Sequence, residues 1–215
     1  MIAPSLLSAD FSNLAKEVEM LNSSSCDLIH LDIMDGVFVP NISFGFPVIK
    51  SIKDKVKKPL DAHLMIVEPD KFIKNFAEAG VEYLSVHYEV CNHLNRTVQN
   101  IRSYGMKAGV AINPATPVSV LEDILGECDF IVVMSVNPGF AAQKYIDSID
   151  KVRKLRKMID SNGYNCLIEI DGGINRDNVE ELSKAGVDIF VAGNAVFSAA
   201  DPLAEISLLQ SKCSR

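Results

Sequence analysis

The sequence has no C-x-x-C pair; its five cysteines, Cys26, Cys91, Cys128, Cys166 and Cys213, are scattered over 215 residues. That spacing predicts free thiols in a reducing compartment, hence a cytoplasmic protein. No apolar run approaches the roughly 18 residues that a membrane-spanning helix requires. The opening segment MIAPSLLSADF has no basic stretch and interrupts its apolar pairs with polar residues, so a signal peptide is not expected. Basic residues are in the minority, 21 Lys and Arg against 28 Asp and Glu, and the net charge of −7 argues against broad nucleic-acid binding. A small anionic metabolite stays admissible, because local backbone donors rather than net charge can hold a phosphate. There is also no early G-x-G-x-x-G, internal repeat, low-complexity stretch or linker. A composition of 48% hydrophobic and 23% charged residues is that of an ordinary globular protein. A single domain over residues 1–215 is therefore expected, with a core that needs no disulfides.

Strand-like and helix-like segments alternate along the chain. Short, mostly aliphatic or β-branched runs predict strands at Ile2–Leu6, Leu28–Ile33, Leu60–Leu64, Tyr83–Val86, Lys107–Ile112, Phe130–Met134, Cys166–Ile170 and Ile189–Ala192. Helical patterns lie in SNLAKEVEMLN, EPDKFIKNFAEAG, SIDKVRKLRKMIDSNG and NRDNVEELSKAGVD, the last three stopped by Gly80, Gly163 and Gly186. Asn-Pro at Asn113 and at Asn137 marks loops after the fifth and sixth strands. Eight alternations imply a parallel sheet, either open and doubly wound or closed. The count of eight and the missing dinucleotide fingerprint predict the closed (β/α)8 TIM barrel.

Functional residues of such a barrel sit at strand C-termini and in the loops that follow. His30 and Asp32 (IHLDIMDG) share one face of their strand, while His63 (DAHLM) and Asp171 (EIDGG) end two others. Two imidazoles and two carboxylates make an open, catalytic type of metal site that would accept Zn²⁺, Fe²⁺, Co²⁺ or Mn²⁺. A lone strand-end histidine is more often simply hydrogen-bonded; four such groups at strand ends favour the metal. Asp61 and Glu169, two residues earlier on their strands, share that face but lie deeper, and as buried carboxylates they need partners. NPGFAAQ (137–143), DGG (171–173) and AGNAVF (192–197) offer small residues on adjacent loops, suited to an anion. Met34, Met65 and Met134 stand at the same rim, either as plain packing or as a water-excluding cap.

The blocks SLLSADFSNL, HLDIMDGVFVPN, PLDAHLM, SVHYE, NPATP, MSVNPGF, EIDGGI and VAGNAVF resemble the signature blocks of the ribulose-phosphate 3-epimerase family, in order, from about residue 2 to residue 209. The resemblance implies a TIM barrel of the ribulose-phosphate-binding type that interconverts D-ribulose 5-phosphate and D-xylulose 5-phosphate with one divalent metal per subunit. It implies His30, Asp32, His63 and Asp171 as ligands, with Asp32 and Asp171 exchanging the roles of proton acceptor and donor. It implies that Ser5 and His63 contact the substrate. The phosphate would lie against Gly139, Phe140, Ala141, Ala142, Gly172, Gly173, Gly193 and Asn194. Homo-oligomers are common in the family, and apolar residues on the outer helices are compatible with self-association. His87 and His93 match the family without being ligands and are read as structural.

Departures from the family pattern are Ala141 and Ala142, where NPGFGGQ has glycines, Asn194 for serine, Asn95 for histidine and Ala115 for glycine. Alanine resists positive φ and adds a methyl group near the anion. That leaves a 3-epimerase of a hexulose 6-phosphate, such as D-allulose 6-phosphate, as the nearest rival. A phosphate-binding barrel decarboxylase would need Asp-x-Lys-x-x-Asp, but the second strand reads Asp32-Ile-Met-Asp35, without lysine. A non-catalytic sugar-phosphate sensor is disfavoured because all four quartet residues are present.

Overall fold

A computed structural model describes residues 1–213. Its strands are β1 (Ile2–Pro4), β2 (Ile29–Met34), β3 (Leu60–Met65), β4 (Val81–His87), β5 (Lys107–Ile112), β6 (Phe130–Met134), β7 (Leu167–Asp171) and β8 (Ile189–Ala192). Each pairs in parallel with the next in sequence from β2 to β8, and β8 pairs with β1. The circle closes between β1 and β2. There Ser5 bridges His30, and the N–H groups of Asp27 and Leu28 donate to the Ile2 carbonyl at 2.9 and 3.4 Å. The predicted (β/α)8 barrel is the architecture of the chain.

The helices are α1 (Leu14–Ser23), α2 (Phe46–Lys53), α3 (Ile73–Glu78), α4 (Leu94–Ser103), α5 (Ile149–Asn162), α6 (Val179–Ala185), α7 (Asn194–Phe197) and α8 (Pro202–Lys212). Asp10 caps the turn before α1 by accepting from the Ser12 N–H at 2.9 Å, and Gly163 ends α5 in the left-handed conformation. The expected ends of β2, β3, β4 and β7 move by one or two residues, and two expectations shift further. The first strand stops at Pro4, because the Ser5 hydroxyl accepts from the Leu7 N–H at 3.2 Å and starts a tight 3₁₀ turn. The helix expected over residues 68–80 shortens to α3: Glu68 has φ +50°, and Pro69 opens a 3₁₀ turn before it. Between β5 and β6 the connection holds only 3₁₀ turns, Val118–Leu121 and Leu125–Glu127.

Strand alternation splits the core in two. Outward residues such as Leu31, Leu64, Leu84, Val110 and Ile131 are fully buried beneath the helices. Inside the barrel, Phe130, Val132 and Met134 form one apolar cluster and Ala3, Leu28, Ile189 and Val191 another. Between these clusters the interior carries polar groups. His30, Asp61, His63, Ser85, His87 and Glu169 are all completely buried. The register between β2 and β3 sorts these groups by depth: His30 lies opposite Asp61, Asp32 opposite His63, and Met34 opposite Met65 at the rim.

Candidate active site

The quartet converges at the C-terminal mouth of the barrel. His63 Nδ1 lies 3.4 Å from Asp171 Oδ2 and 3.8 Å from Asp32 Oδ1, and His30 Nε2 lies 3.6 Å from the same Asp32 oxygen. One ligand atom from each of the four falls within 4.8 Å of the others. Four donors on one ion at about 2.1 Å sit roughly 3.4 Å apart when tetrahedral, so little adjustment would be needed. His30 Nε2 and His63 Nδ1 have no hydrogen-bond partner among the described residues, although both are buried and face the aspartates. Two orphaned imidazole nitrogens directed at two carboxylates fit a divalent cation of the kind imidazole and carboxylate prefer.

The other nitrogen of each histidine is engaged. His30 Nδ1 meets Asp61 Oδ2 at 2.5 Å, one layer deeper. His63 Nε2 meets His87 Nε2 at 2.8 Å. Burial alone would lower the basicity of His30, but the carboxylates of Asp61 and Asp32 raise its pKa well above the ordinary value. His63 is raised in the same way against its own burial, by Asp171 and Asp32. Asp32, whose burial works the other way, is held far below the usual carboxylate range by His30 and His63. Its second oxygen accepts the Ser5 hydroxyl proton in a short hydrogen bond. Deeper in the barrel Glu169 is pushed well up by burial and by the neighbouring Asp61, which favours its neutral form.

Above the quartet opens a cavity of about 450 Å³. Asp32, Asp171, Ser5 and the three methionines Met34, Met65 and Met134 line it, and so do Gly139, Phe140, Ala141, Ala142, Gly172, Gly173, Gly193 and Asn194. His30 and His63 are completely buried. The β6–α5 loop beside the cavity is held by a bond from the β2–α2 loop and by bonds of its own. Gln143 Nε2 donates to the carbonyls of Asn137 and Phe140 at 2.5 and 2.9 Å, and Asn41 Nδ2 donates to the Gly139 carbonyl at 2.9 Å. Ala142 adopts φ +57°, so this loop keeps a left-handed turn where a glycine would be unstrained. Gly173 has φ +68°, and a Cβ there would meet the Tyr145 backbone at 2.8 Å, so glycine is required.

The model of the ribulose-phosphate 3 epimerase family matches residues 1–197. The chain belongs to that family. Among its relatives, the ribulose-phosphate 3-epimerase of Bacillus subtilis is 45% identical over 208 residues, covering 96% of each chain. That of Synechocystis is 48% identical over 202 residues, covering 93% of this chain and 88% of the relative. Solved structures with the same barrel include the 3-hexulose-6-phosphate synthase of Salmonella typhimurium, with a TM-score of 0.73 and 20% identity over 99% of this chain and 97% of the other. KGPDC from Streptococcus mutans gives a TM-score of 0.74 at 13% identity, over 99% and 96%. At such identities these two show the shared fold alone.

For this family member, sequence reasoning left several groups at the mouth unassigned. Asp35 Oδ1 accepts the N–H groups of Val37 and Phe38 at 2.8 and 2.9 Å, and Oδ2 accepts that of Val67 at 2.8 Å, lacing the β2 and β3 loops together. Ser43 donates to the Asp32 carbonyl at 2.5 Å and accepts from the Met34 N–H at 3.0 Å. Lys144 lines the cavity from the loop beyond Gln143. Nothing in the sequence showed which N–H groups the Asp35 carboxylate would receive.

Two outcomes are expected. The raised pKa of His30 means that its protonated ring stabilises the metal-free fold below the unfolded value of about 6.5, and that this is lost as pH rises through the higher folded value. A cation on Nε2 must displace that proton. The thermal stabilisation given by Mn²⁺ or Zn²⁺ should therefore grow between pH 6 and pH 8, and a pH-independent gain in scanning fluorimetry would contradict this. Ala142→Gly should raise the urea midpoint, because a left-handed alanine costs about 1–2 kcal/mol, partly offset by glycine's greater freedom when unfolded; a lower midpoint would show that the loop is unstrained.

Proposed function

We propose that this protein interconverts D-ribulose 5-phosphate and D-xylulose 5-phosphate, with Asp32 and Asp171 moving protons on opposite sides of the substrate's C3. The observation that carries the reading is the pair of carboxylates from two different strands, both lining one cavity and both beside the buried His63. Inverting a carbon next to a ketone requires removing a proton from one face and returning one to the other. Two fixed carboxylates do this without the substrate turning over.

In the forward direction an oxygen of Asp32 accepts the C3 proton and the Asp171 carboxyl returns one to the opposite face; the roles exchange in reverse. The Ser5 hydroxyl holds the second oxygen of Asp32, which orients the carboxylate toward the sugar. His30, Asp32, His63 and Asp171 would hold a divalent cation, which when bound would supply Lewis-acid stabilisation of the negative charge that develops on the deprotonated sugar. Met34, Met65 and Met134 keep water from the deprotonated sugar. The phosphate rests against the glycine-rich side of the cavity from Gly139 to Ala142, at Gly172 and Gly173, and at Gly193 and Asn194, with backbone N–H groups as donors.

The names of relatives 45% and 48% identical over most of the chain support the pentulose over a hexulose phosphate. Against a decarboxylase of the same fold, Asp35 commits both carboxylate oxygens to loop N–H groups, and no lysine stands between it and Asp32. The five free thiols support a reducing, cytoplasmic setting. A homo-oligomer is part of the same reading: Phe11, Val37, Ile42 and Phe72 expose apolar side chains on the loops and turns after β1, β2 and β3, ready for a second copy.

The test is proton NMR of metal-loaded protein in deuterated buffer, with D-ribulose 5-phosphate and D-allulose 6-phosphate offered separately. The wild type should give xylulose 5-phosphate labelled at C3, and Asp32→Asn and Asp171→Asn should each lose at least about 10²-fold in turnover. Preferential exchange on the six-carbon sugar would transfer the activity to the hexulose phosphate. Full activity in either variant would remove that aspartate from the proton path.

A further inference from the structure

A hydrogen-bonded chain leads away from His63 toward the barrel rim, and its end is anchored outside the cavity. His63 Nε2 meets His87 Nε2 at 2.8 Å, and His87 Nδ1 meets Glu89 Oε2 at 3.1 Å. Both imidazoles are completely buried, and Phe38 packs on the His87 ring with centroids 4.7 Å apart. Glu89 Oε1 accepts the Asn113 N–H at 2.9 Å and the Thr116 hydroxyl proton. The loop that presents those two donors is pinned from α5: Lys151 Nζ donates to the carbonyls of Asn113, Pro114 and Thr116 at 2.9, 2.7 and 2.9 Å.

The direction of every bond follows from Glu89. A carboxylate only accepts, so His87 Nδ1 carries a proton and gives it to Glu89. A neutral His87 then has its lone pair on Nε2, and the contact with His63 forms only if His63 Nε2 is the donor. His63 is left with Nδ1 as the nitrogen able to offer a lone pair, and Nδ1 is the atom beside Asp32 and Asp171. His30 reaches the corresponding state in one step, through the carboxylate of Asp61. His63 has no carboxylate on its far side, so the same instruction arrives through a second imidazole.

We propose that Glu89, acting through His87, is a positioning residue that fixes which nitrogen of His63 bears the proton and so keeps Nδ1 free for the cation. The inference rests on His63 serving as a ligand in the reading above. Glu89 itself touches neither the cavity nor the quartet.

The chain has a polarity that a glutamine would reverse. In Glu89→Gln the two donors of Asn113 and Thr116 claim the amide oxygen, which turns the NH₂ group toward His87 Nδ1. His87 must then accept at Nδ1 and donate at Nε2, and His63 must accept at Nε2 and carry its proton on Nδ1, against the cation. In Glu89→Ala no donor replaces the carboxylate. The Glu89 side chain is 23% exposed, so solvent can enter and accept from His87 Nδ1. The alanine variant should therefore keep the polarity that the isosteric glutamine variant loses.

The test is histidine side-chain ¹⁵N NMR on the full chain, with and without Zn²⁺, together with Zn²⁺ affinity measured by competition with a chelator. In the wild type His63 Nε2 should carry a proton and show coupling across the hydrogen bond to His87 Nε2. In Glu89→Gln that nitrogen should be bare, with Zn²⁺ binding weakened roughly 10- to 100-fold. Glu89→Ala should lose less. A bare His63 Nε2 in the wild type would overturn the proposal, and so would alanine being worse than glutamine, the order expected from lost packing alone. If the wild type shows the expected tautomer but binds no Zn²⁺, the metal reading fails while the relay's control of the tautomer stands. If it binds Zn²⁺ and Glu89→Gln binds equally well, the relay's role fails and the metal reading stands.

Discussion

The structure depends on how a layer of ionisable groups is carried inside a closed barrel. Four carboxylates, Asp32, Asp61, Glu169 and Asp171, and three imidazoles, His30, His63 and His87, are buried or nearly so within a few strands of one another. Groups of this kind cost several kcal/mol each in an interior unless they are paired or neutralised. The barrel offsets that penalty differently at each depth. Burial favours the neutral form of Glu169, Asp61 is paired with His30, and Asp32 is held by Ser5 just beyond β1. The remaining demand, two imidazole nitrogens facing two carboxylates, is one that a divalent cation would meet.

Barrel closure and the site share residues. The bridge between Ser5 and His30 that joins β1 to β2 also brings the Ser5 hydroxyl to Asp32. The register that sets His30 against Asp61 and Asp32 against His63 fixes the relative heights of ligands and supports. A one-step slip of β3 would turn Asp61 and His63 into the helical layer, so the same pairing that stabilises the sheet specifies the chemistry.

Much of this was legible in the sequence, and the gaps have physical reasons. β5, β6 and β8 were read to the residue, because each is an apolar run with clear turn chemistry at its ends. The quartet was visible because its members are polar groups at the ends of apolar strands. Helices α2, α4 and α8 were not among the helical patterns drawn from the sequence, although α4 carries Leu94, Val98 and Ile101 at helical spacing toward the core. The first strand was read too long because Ser5 commits its hydroxyl to a backbone N–H, a choice that leaves no mark in hydropathy. His87 was read as structural, beside a strand expected to end at Val86, but its link from His63 to Glu89 joins residues 24 and 2 positions away and depends on which ring nitrogen faces which neighbour. Composition carries no such information. The alanine at 142 was read as a strained substitute for glycine, and its φ of +57° agrees.

The barrel itself is shared with proteins of other chemistries, so what distinguishes this one is the set of groups at its mouth. The most direct test is X-ray absorption at the zinc edge on protein loaded with one equivalent of Zn²⁺. Two imidazole nitrogens and carboxylate oxygens at about 2.0–2.2 Å are expected, with one imidazole lost in His63→Gln. A shell of oxygens alone, unchanged in that variant, would contradict the account, because the buried histidines would then be serving some other end.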